Sequence, residues 1–462
     1  MKEIKSNIHR QLSDFTTPVN ALLAIREKYP ITLLLESSDY QTKENSFSFI
    51  GFEPIAEVKV EKGRFTSSHG DDYQLNLTNN QLSAALESFM SQFNFTTKDP
   101  EVKQFNGLFG YTTFEVVKYF DGYRQDEDKK EEMIPDLQFH FFAYLIVFDH
   151  YNSRLTIIEN LEKDKDSKMA EIISLVNKPT RSIYSFTPGD ISANMPDEDY
   201  KKMVTKAKEH CQRGDVFQLV LSRRYCQAYT GDDINVYRSL RAINPSPYLF
   251  YFDYGDFKIM GSSPEAQIVV RGSRVEIHPI AGTMKRTGNN EIDNEVAIKL
   301  ANDPKENAEH NMLVDLARND LSKHCDDVQV SKNKVIQYFS HVIHLVSKVI
   351  GKKPDDVSSF QVFEDTFPAG TLSGAPKYKA IELINKYEPK ERGFYGGAIG
   401  YVNFNGDMNM AITIRSVLSK NQVLHYQAGA GIVISSVEEM ELQEVDNKLK
   451  AIQEAVKMAA TL

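Results

Sequence analysis

Residues 393–434, GFYGGAIGYVNFNGDMNMAITIRSVLSKNQVLHYQAGAGIVI, decide the fold class of this chain. Strand-like runs occupy GGAIGYVNF, AITIRS and VLHYQAGAGIVI, and polar stretches separate them. Such short apolar runs with period-two alternation are typical of antiparallel strands. A helical pattern follows near residues 437–460, so the end of the chain predicts strands backed by a long helix.

The same alternation of strands and helices extends through the rest of the chain. Further strand-like runs occur in residues 31–54, 105–111, 137–149, 216–222, 247–252, 267–270 and 276–280, with helical patterns near 200–213, 291–320 and 375–387. The polar stretch at residues 187–199, TPGDISANMPDED, contains two prolines and four acidic residues. Because such stretches favour loops, it predicts a boundary between an N-terminal domain, 1–188, and a second domain, 189–462.

Length and composition exclude several classes of function. The chain has 462 residues, 41% of them hydrophobic and 26% charged, which is an ordinary globular composition. A net charge of −10 disfavours nucleic acid and anionic membranes as partners, since both need a basic surface. No apolar stretch reaches the length of a membrane span and the N-terminus lacks a signal-peptide pattern, so we expect a cytoplasmic protein.

An acidic pair occurs in the helical run at residues 303–320, DPKENAEHNMLVDLARND. Asp303 can cap this helix and Pro304 suits its first position. Glu306 and Glu309 then lie one turn apart on one face. A capping box between Asp303 and Glu306, with Glu309 merely solvated, explains the same pattern, so this pair alone does not establish a binding site.

A second acidic pair occurs in the last helix of the chain. Ser436 can cap that helix, and Glu441, Glu444 and Lys448 then line one face. An exposed ion pair between Glu444 and Lys448, worth a few tenths of a kcal/mol, is the structural alternative. Taken without its neighbours, the second pair favours that alternative.

Two acidic helices in one chain predict a shared cation. Mg²⁺ prefers oxygen ligands and is usually held by one or two carboxylates, several waters and anionic groups of the substrate. We expect Glu309 and Glu444 to ligate Mg²⁺, with Glu306 and Glu441 behind them.

Two glycine-containing segments suggest anion sites near these helices. In residues 427–432, QAGAGI, the chain is expected to leave a strand through Gly429 and Gly431, and FPAGTLSGAPK at residues 367–377 adds the hydroxyl of Thr371. Glycine lets backbone amides approach an anion closely, although tight turns require glycine equally often. The nearby acidic pairs favour the anion site.

Two further residues could carry chemistry. Arg415 lies in an alternating strand pattern, where it is either an edge residue or a bidentate clamp for a carboxylate, because a buried unpaired arginine is costly. His344 lies in an apolar strand-like stretch, where a histidine is more often a satisfied core residue than a catalyst, although histidine is the usual acid or base near neutral pH.

Together these motifs resemble the chorismate-utilising enzymes, and in particular the large subunit (component I) of anthranilate synthase. The resemblance rests on PIAGT (279–283), AEHNMLVDLARNDL (308–321), HVIHLVS (341–347), GTLSGAPK (370–377), GFYGGAIGY (393–401), IRS (414–416), QAGAGIV (427–433) and the closing ELQEVDNK (441–448). It implies an α+β fold with two face-packed antiparallel sheets and surrounding helices.

The resemblance also implies roles for individual residues. Glu309 and Glu444 match magnesium ligands, with Glu306 and Glu441 in the same group. His344 matches a proton-transfer residue, expected to act as an acid on the departing hydroxyl, and Thr371 is the second candidate catalytic residue. The positions expected to bind chorismate or the departing pyruvate are Gly282, Thr283, Tyr395, Arg415, Gly429, Ala430, Gly431 and Lys448.

The implied reaction is the lyase reaction that converts chorismate and ammonia to anthranilate and pyruvate, the first committed step of tryptophan biosynthesis. Ala281 supports this product, since related enzymes that make aminodeoxychorismate have a lysine at that position. No glutaminase motif is visible, so ammonia is expected from a separate glutamine amidotransferase subunit (component II). Synthesis of aminodeoxychorismate or isochorismate is the alternative, and an inert tryptophan-sensing or scaffold subunit is a third possibility.

Two upstream motifs resemble a site for feedback inhibition by L-tryptophan. LLES at residues 34–37 and NPSPYL at residues 244–249 imply that Ser37, Pro247, Tyr248 and Leu249 contact the inhibitor. A strand and a proline turn are the structural alternative. Leu249 stands where methionine is common in the family, which leaves the strength of inhibition open.

Overall fold

The computed structural model describes residues 2–37, 46–68, 73–78, 80–120, 129, 131, 133–178, 183–338 and 342–462. The helices are α1 (Pro18–Arg26), α2 (Leu82–Met90), α3 (Pro100–Phe105), α4 (Met169–Asn177), α5 (Asp197–Arg213), α6 (Ile234–Ile243), α7 (Asn290–Asn302), α8 (Pro304–Leu321), α9 (Ser359–Thr366), α10 (Gly370–Ser373), α11 (Lys377–Tyr387) and α12 (Glu438–Ala459). A 3₁₀ helix occupies Phe114–Tyr119.

The strands are β1 (Lys2–Leu12), β2 (Thr32–Ser37), β3 (Phe47–Glu61), β4 (Arg64–Ser68), β5 (Tyr73–Asn76), β6 (Phe93–Phe95), β7 (Gly107–Thr112), β8 (Leu137–Asp149), β9 (Arg154–Glu162), β10 (Phe186–Ala193), β11 (Gln218–Gly231), β12 (Tyr248–Asp253), β13 (Phe257–Ser263), β14 (Ala266–Arg271), β15 (Arg274–Ile277), β16 (Ile280–Lys285), β17 (Asp326–Tyr338), β18 (Val342–Lys352), β19 (Gly374–Ala375), β20 (Ala398–Asn403), β21 (Met408–Ile412), β22 (Ser416–Lys420) and β23 (Val423–Ile432).

The strands form two large sheets that share a pair of long strands. In the first sheet the order is β10-β11-β23-β22-β13-β12-β2-β3-β8-β9-β1. In the second the order is β5-β4-β3-β8-β7-β20-β21-β14-β15-β18-β17. These neighbours are all antiparallel, and β3 and β8 pass from one sheet into the other.

The inner faces of the two sheets pack against each other through aromatic side chains. Phe49 of the first sheet lies 5.3 Å from Tyr401 of the second, measured between ring centroids, and Phe257 lies 5.9 Å from Tyr111. These rings belong to one buried cluster that draws residues from both sheets. The prediction of an α+β fold with two face-packed antiparallel sheets and helices around them is confirmed.

The helices that carry the acidic pairs pack on strands close to the predicted binding segments. α8 contacts β16 and β18, and α12 contacts β23. The sheets also bring together segments that are distant in sequence, since β11 pairs with β23. Within the described ranges, no helix combines the length and the apolar content needed to cross a membrane.

The predicted domain boundary at residues 188 and 189 falls inside β10 rather than in a loop. Strands from both sides of it are neighbours, since β2 pairs with β12 and β7 pairs with β20. The polar stretch at residues 187–199 becomes a strand and the start of α5, because its residues pair with β11 along the sheet margin. The division into two domains stays a prediction.

Candidate active site

The first acidic pair lies at the N-terminus of α8, as predicted. The Asp303 carboxylate accepts hydrogen bonds from the amides of Lys305, at 2.8 Å, and Glu306, at 3.1 Å. Glu306 and Glu309 are both half-buried. Because the first turn of a helix carries amide groups without intrahelical partners, this cap fixes the direction in which the two glutamates leave the helix.

The second acidic pair lies on α12, but its predicted cap is wrong. The helix begins at Glu438 after Val437, and the Ser436 hydroxyl instead accepts a hydrogen bond from the Val433 amide at 3.0 Å. Glu441 is buried, whereas Glu444 is exposed and lies 2.8 Å from the ammonium group of Lys448. The ion pair considered as a structural alternative is therefore present in the fold.

The two acidic faces interact electrostatically. Burial raises the pKa of Glu306, and the neighbouring charges of Glu309 and Glu444 raise it further. Burial also raises the pKa of Glu441, where the charge of Glu444 adds to the effect and a hydrogen bond from Ser436 opposes it. The charge of Glu444 on α12 thus acts on Glu306 on α8, so the two acidic faces look onto the same region.

These carboxylates offer oxygen donors without forming a closed cage. In the part of the chain that the structure describes, no three His, Cys, Asp or Glu side chains have a metal-coordinating arrangement. The Glu309 carboxylate accepts a hydrogen bond from Gln218 Nε2 at 3.1 Å. Hard oxygen donors suit Mg²⁺ that keeps waters and takes further ligands from a substrate, so the donor set fits this ion.

The segment containing Gly429, Ala430 and Gly431 stays within β23, so the predicted departure from a strand at these glycines is wrong. It pairs in regular register with β11, where Gly429 is opposite Ser222. The glycines serve a different purpose. A β-carbon on Gly429 would lie 3.1 Å from the Tyr395 hydroxyl, and one on Gly431 would lie 2.2 Å from Gln218 Nε2.

Functional groups from three elements converge on this part of β23. The Tyr395 hydroxyl accepts a hydrogen bond from the Gly429 amide, and Lys448 Nζ donates to the Gly429 carbonyl at 2.8 Å. The absence of a side chain at Gly429 gives both groups room to reach the backbone there. The structure thus brings together the predicted binding residues Tyr395, Gly429 and Lys448.

Arg415 lies in the connection between β21 and β22, not in a strand as its sequence pattern predicted. Its φ of +50° is unusual for a residue with a side chain, and its carbonyl accepts a hydrogen bond from the Ser262 amide at 3.1 Å. Its guanidinium makes no hydrogen bond or ion pair with any described residue. Burial lowers the pKa of Arg415, and the nearby Glu265 carboxyl opposes that effect. An arginine held in this way is suited to an anionic ligand.

His344 is buried on β18 and faces Gly282 across the strand pair. Its Nδ1–H donates to the Gly282 carbonyl at 3.0 Å. Burial lowers the pKa of His344 to about 4, and the positive charge of Arg415 contributes to the lowering. The imidazole is therefore neutral near pH 7, which favours accepting a proton at Nε2 over donating one.

Gly282 contacts His344 through its carbonyl and lies close to Glu306. It has a φ of +68°, and a β-carbon there would lie 2.7 Å from Leu300 Cδ1 and 3.1 Å from Glu306 Oε2. Only glycine satisfies both the backbone conformation and the close approach. Thr283 is paired with His344 in the strand register, although its side chain lies outside the described part of the structure.

Sequence reasoning missed Glu265, which lies just before β14. The carboxyl is only 9% exposed and accepts a hydrogen bond from the Thr371 hydroxyl at 3.1 Å. Burial raises the pKa of Glu265 to about 7, against the opposing effects of Thr371 and the cations Arg415 and Lys448. A lone acidic residue between a proline and an apolar strand, in SPEAQIVV, was the one available signal.

A buried ion pair behind Tyr395 was also missed. Arg392 is 1% exposed and lies 2.6 Å from Glu388, and its guanidinium is 5.7 Å from the centre of the Tyr395 ring. It also donates to the carbonyls of Leu372 and Val220. Because these groups belong to α10 and β11, the pair fixes Tyr395 relative to the elements around Thr371.

The residues predicted to contact an inhibitor lie at the junction of β2 and β12. Ser37 is paired with Tyr248, so the two motifs are direct neighbours, although the Ser37 side chain lies outside the described part of the structure. Pro247 and Tyr248 line a cavity of about 350 Å³. Leu249, the next residue of β12, is half-buried and packs on the main hydrophobic core instead.

Comparison with known proteins gives consistent matches over nearly the whole chain. A family model described as chorismate binding enzyme matches residues 33–454. The chain is 35% identical to anthranilate synthase component 1 from Lactococcus lactis, covering 95% of this chain and 97% of that protein. It is also 35% identical to the Bacillus subtilis protein of that name, with 96% and 91% coverage.

Solved structures agree with the sequence matches. The crystal structure of anthranilate synthase component I from Streptococcus pneumoniae superimposes with a TM-score of 0.77 at 31% identity, covering 96% of this chain and all of that one. The menaquinone-specific isochorismate synthase from Escherichia coli superimposes with a TM-score of 0.75 at 17% identity, which demonstrates a shared fold.

Proposed function

The chain belongs to the chorismate-binding enzyme family, and we propose that it converts chorismate and ammonia to anthranilate and pyruvate as the large subunit of anthranilate synthase. The observation that carries this proposal is the similarity, at about 35% identity over almost the full length, to relatives named anthranilate synthase component 1. In this reaction ammonia adds to the chorismate ring as a hydroxyl leaves, and pyruvate is then eliminated. The site must therefore protonate a leaving hydroxyl, remove a ring proton and hold two carboxylates.

Glu265 is suited to protonate the leaving hydroxyl. Its pKa of about 7 keeps a large part of the carboxyl protonated near neutral pH. A buried carboxyl with a pKa near the working pH is suited to act as a general acid. The hydroxyl would depart as water and leave a Glu265 carboxylate. That carboxylate is stabilised by the Thr371 hydroxyl and by the positive charge of Arg415.

His344 is suited to remove the ring proton. The hydrogen bond from its Nδ1–H to the Gly282 carbonyl fixes the tautomer that has its lone pair on Nε2. Its low pKa supplies the unprotonated form. The acid role expected for His344 from the family resemblance thus passes, in this proposal, to Glu265.

The carboxylates of chorismate would be held by the groups that converge on β23. Arg415 offers a guanidinium that no described residue occupies, and Tyr395 and Lys448 lie at the Gly429 backbone. Ala430 and Gly431 continue this strand, and Gly282 and Thr283 border the site opposite it. A bidentate contact from Arg415 to one carboxylate would orient the ring between Glu265 and His344.

The acidic faces of α8 and α12 would hold Mg²⁺. We propose Glu309 and Glu444 as direct ligands, with Glu306 and Glu441 around them, because burial and neighbouring negative charge raise the pKa values of Glu306 and Glu441 and so indicate a site that gains from a cation. Bound Mg²⁺ would supply positive charge to a carboxylate of the substrate. For this, Glu444 has to release Lys448, its present ion-pair partner.

A second subunit and an inhibitor complete the proposal. Ammonia would come from glutamine through a glutamine amidotransferase partner, in keeping with relatives that are named component 1. L-tryptophan would bind near Ser37, Pro247, Tyr248 and Leu249, where a cavity adjoins the β2–β12 junction. β12 pairs with β13, and the Ser262 amide of β13 donates to the Arg415 carbonyl. A shift of β12 on binding of the inhibitor would therefore be transmitted through β13 to the backbone of Arg415.

An assay with chorismate, ammonium and Mg²⁺ tests the function directly. We expect a fluorescent product with the properties of anthranilate, formed in equal amount with pyruvate, and loss of the product when Mg²⁺ is chelated. Release of isochorismate or aminodeoxychorismate without pyruvate would support the alternative activity instead. A parent protein with no turnover under these conditions would refute the enzyme proposal.

The metal assignment has its own test. Glu444→Gln and Glu309→Gln should each abolish activation by Mg²⁺, whereas Glu439→Gln, on an exposed position of the same helix, is the matched control. Turnover of Glu444→Gln equal to that of the parent would contradict the assignment and leave the chorismate chemistry untouched.

A further inference from the structure

A small chamber lies beside Glu265, between α8, α10 and β14. It has a volume of about 40 Å³, and we name it the back chamber. Its polar lining residues are Glu265, Gln267, Asp320, Thr366 and Thr371. The volume is far below that of typical ligand pockets, which are roughly 300–1,000 Å³, so the chamber does not hold chorismate. It exceeds the roughly 10–15 Å³ that one water molecule requires.

The chamber has a buried polar group that needs a partner. Gln267 is 2% exposed, and its Nε2 donates to the Thr366 carbonyl at 3.0 Å. Its Oε1 has no hydrogen-bond partner among the described residues. Leaving such an oxygen unsatisfied costs about 1–3 kcal/mol, so a chamber of this size with polar groups in its lining favours ordered water beside it.

The far end of the chamber leads toward the protein surface. Asp320 lines it and lies 2.7 Å from the ammonium group of Lys377, which also donates to the Thr366 carbonyl at 2.9 Å. The Lys377 side chain is 13% exposed. The lining of the chamber therefore extends from Glu265 to an ion pair whose lysine is partly accessible to solvent.

We propose that the back chamber holds ordered water that returns a proton to Glu265 after each turnover, with Gln267 as the positioning residue that anchors the water. This inference rests on the proposed function, in which Glu265 gives one proton to the hydroxyl that leaves as water. The Glu265 carboxylate then takes a proton from chamber water, and a proton passed from bulk solvent along the water past Asp320 and Lys377 converts the hydroxide left behind back to water. One proton enters for each proton that Glu265 donates.

The charged groups around Glu265 are compatible with this path. On the substrate side it faces Arg415 and Lys448 and is bonded by Thr371, while on the chamber side the nearest charges are Asp320 and its partner Lys377. Burial raises the affinity of Glu265 for a proton, and the two cations lower it. The carboxyl can consequently release its proton and regain it near neutral pH.

Replacement of Gln267 tests the path with saturating ammonium as nitrogen source. Gln267→Met keeps the length of the side chain and removes its polar atoms. We expect kcat to fall about tenfold, which is a small part of the usual contribution of acid–base catalysis. The KM for chorismate should change little. The solvent deuterium isotope effect on kcat should rise because proton return becomes rate-limiting. Gln267→Glu retains an oxygen toward the water and should recover part of kcat.

Gln227→Met is the matched control. Gln227 is also buried and donates to a backbone carbonyl, that of Gly189 at 2.8 Å, but it lies on β11 away from the chamber. It should lose stability without a change in the isotope effect. A Gln267→Met protein with the kcat and isotope effect of the parent would overturn the inference while leaving anthranilate formation established.

If Gln267→Met fails to fold, crystals of the parent protein decide the question. We expect ordered water bridging Gln267 Oε1 and the Glu265 carboxyl, and a dry chamber would overturn the inference. Failure of the parent to form anthranilate would instead refute the proposed function itself. The two failures are thus distinguishable.

Discussion

Replacement of Glu265 by glutamine separates its catalytic role from its effect on stability. Glutamine has the shape of the protonated acid and can still accept a hydrogen bond from Thr371, but it cannot donate a proton to a leaving hydroxyl. We expect kcat to fall by about 10²–10⁴-fold, the usual contribution of general acid catalysis. The affinity for chorismate should change little, because Arg415 and the groups at β23 remain in place.

The same replacement should stabilise the protein at alkaline pH. Burial raises the pKa of Glu265 from 4.5 to about 7, a difference of 2.5. At 1.36 kcal/mol for each pKa unit, the ionised carboxylate costs the folded state about 3 kcal/mol. Because the folded state holds the proton more tightly, parent stability falls as pH rises from about 4.5 to about 7, and the loss is complete above that.

Urea unfolding of parent and variant at pH 5 and pH 8 measures this difference. Glu265→Gln should be close to the parent at pH 5 and more stable than the parent at pH 8, while anthranilate formation is lost at both. A stability difference that does not change between the two pH values would refute the buried, proton-holding state of Glu265. Turnover within about threefold of the parent would refute its role as the acid, given the size of that effect in other enzymes.

Three further substitutions follow from contacts around the site. Thr371→Val removes the hydrogen bond that stabilises ionised Glu265, so the alkaline limb of kcat/KM should move up by about one pH unit, as a rate–pH profile would detect. Gly431→Ala places a β-carbon against Gln218, which donates a hydrogen bond to the proposed ligand Glu309. The Mg²⁺ concentration for half-maximal activity should therefore rise about tenfold, and an unchanged Mg²⁺ titration would contradict the contact. Arg392→Met leaves the buried Glu388 carboxylate without its partner and should lower the free energy of unfolding in urea by about 3–5 kcal/mol. A smaller decrease would contradict the buried ion pair.

Features set by local sequence were predicted well. The cap at Asp303 and the start of α8 follow from residues that contact each other within one turn, and α12 occupies nearly its expected range. The family resemblance supplied residues that the fold brings together, among them Tyr395, Gly429 and Lys448. These positions are recognisable because each belongs to a short, contiguous motif of the sequence.

Features that depend on distant contacts could not be predicted. Gly429 and Gly431 were expected to bend the chain, but their partners are Tyr395 and Gln218 on other elements, and only the tertiary fold reveals that a side chain would collide there. Glu265 has an ordinary sequence context. Its raised pKa comes from burial beneath α8 and α10, a property that no local pattern encodes.

Burial gives the proposed acid and the proposed base their opposite protonation states. Removing a group from water disfavours its charged form, so the pKa of Glu265 rises to about 7 while that of His344 falls to about 4. Between these values the carboxyl is mainly protonated and the imidazole mainly neutral. Arg415 lowers both pKa values, and its replacement by methionine should therefore shift both limbs of the kcat/KM profile of the free enzyme upward. Limbs that move in opposite directions would show that Arg415 does not lie between the two groups, and the assignment of acid and base would then fail.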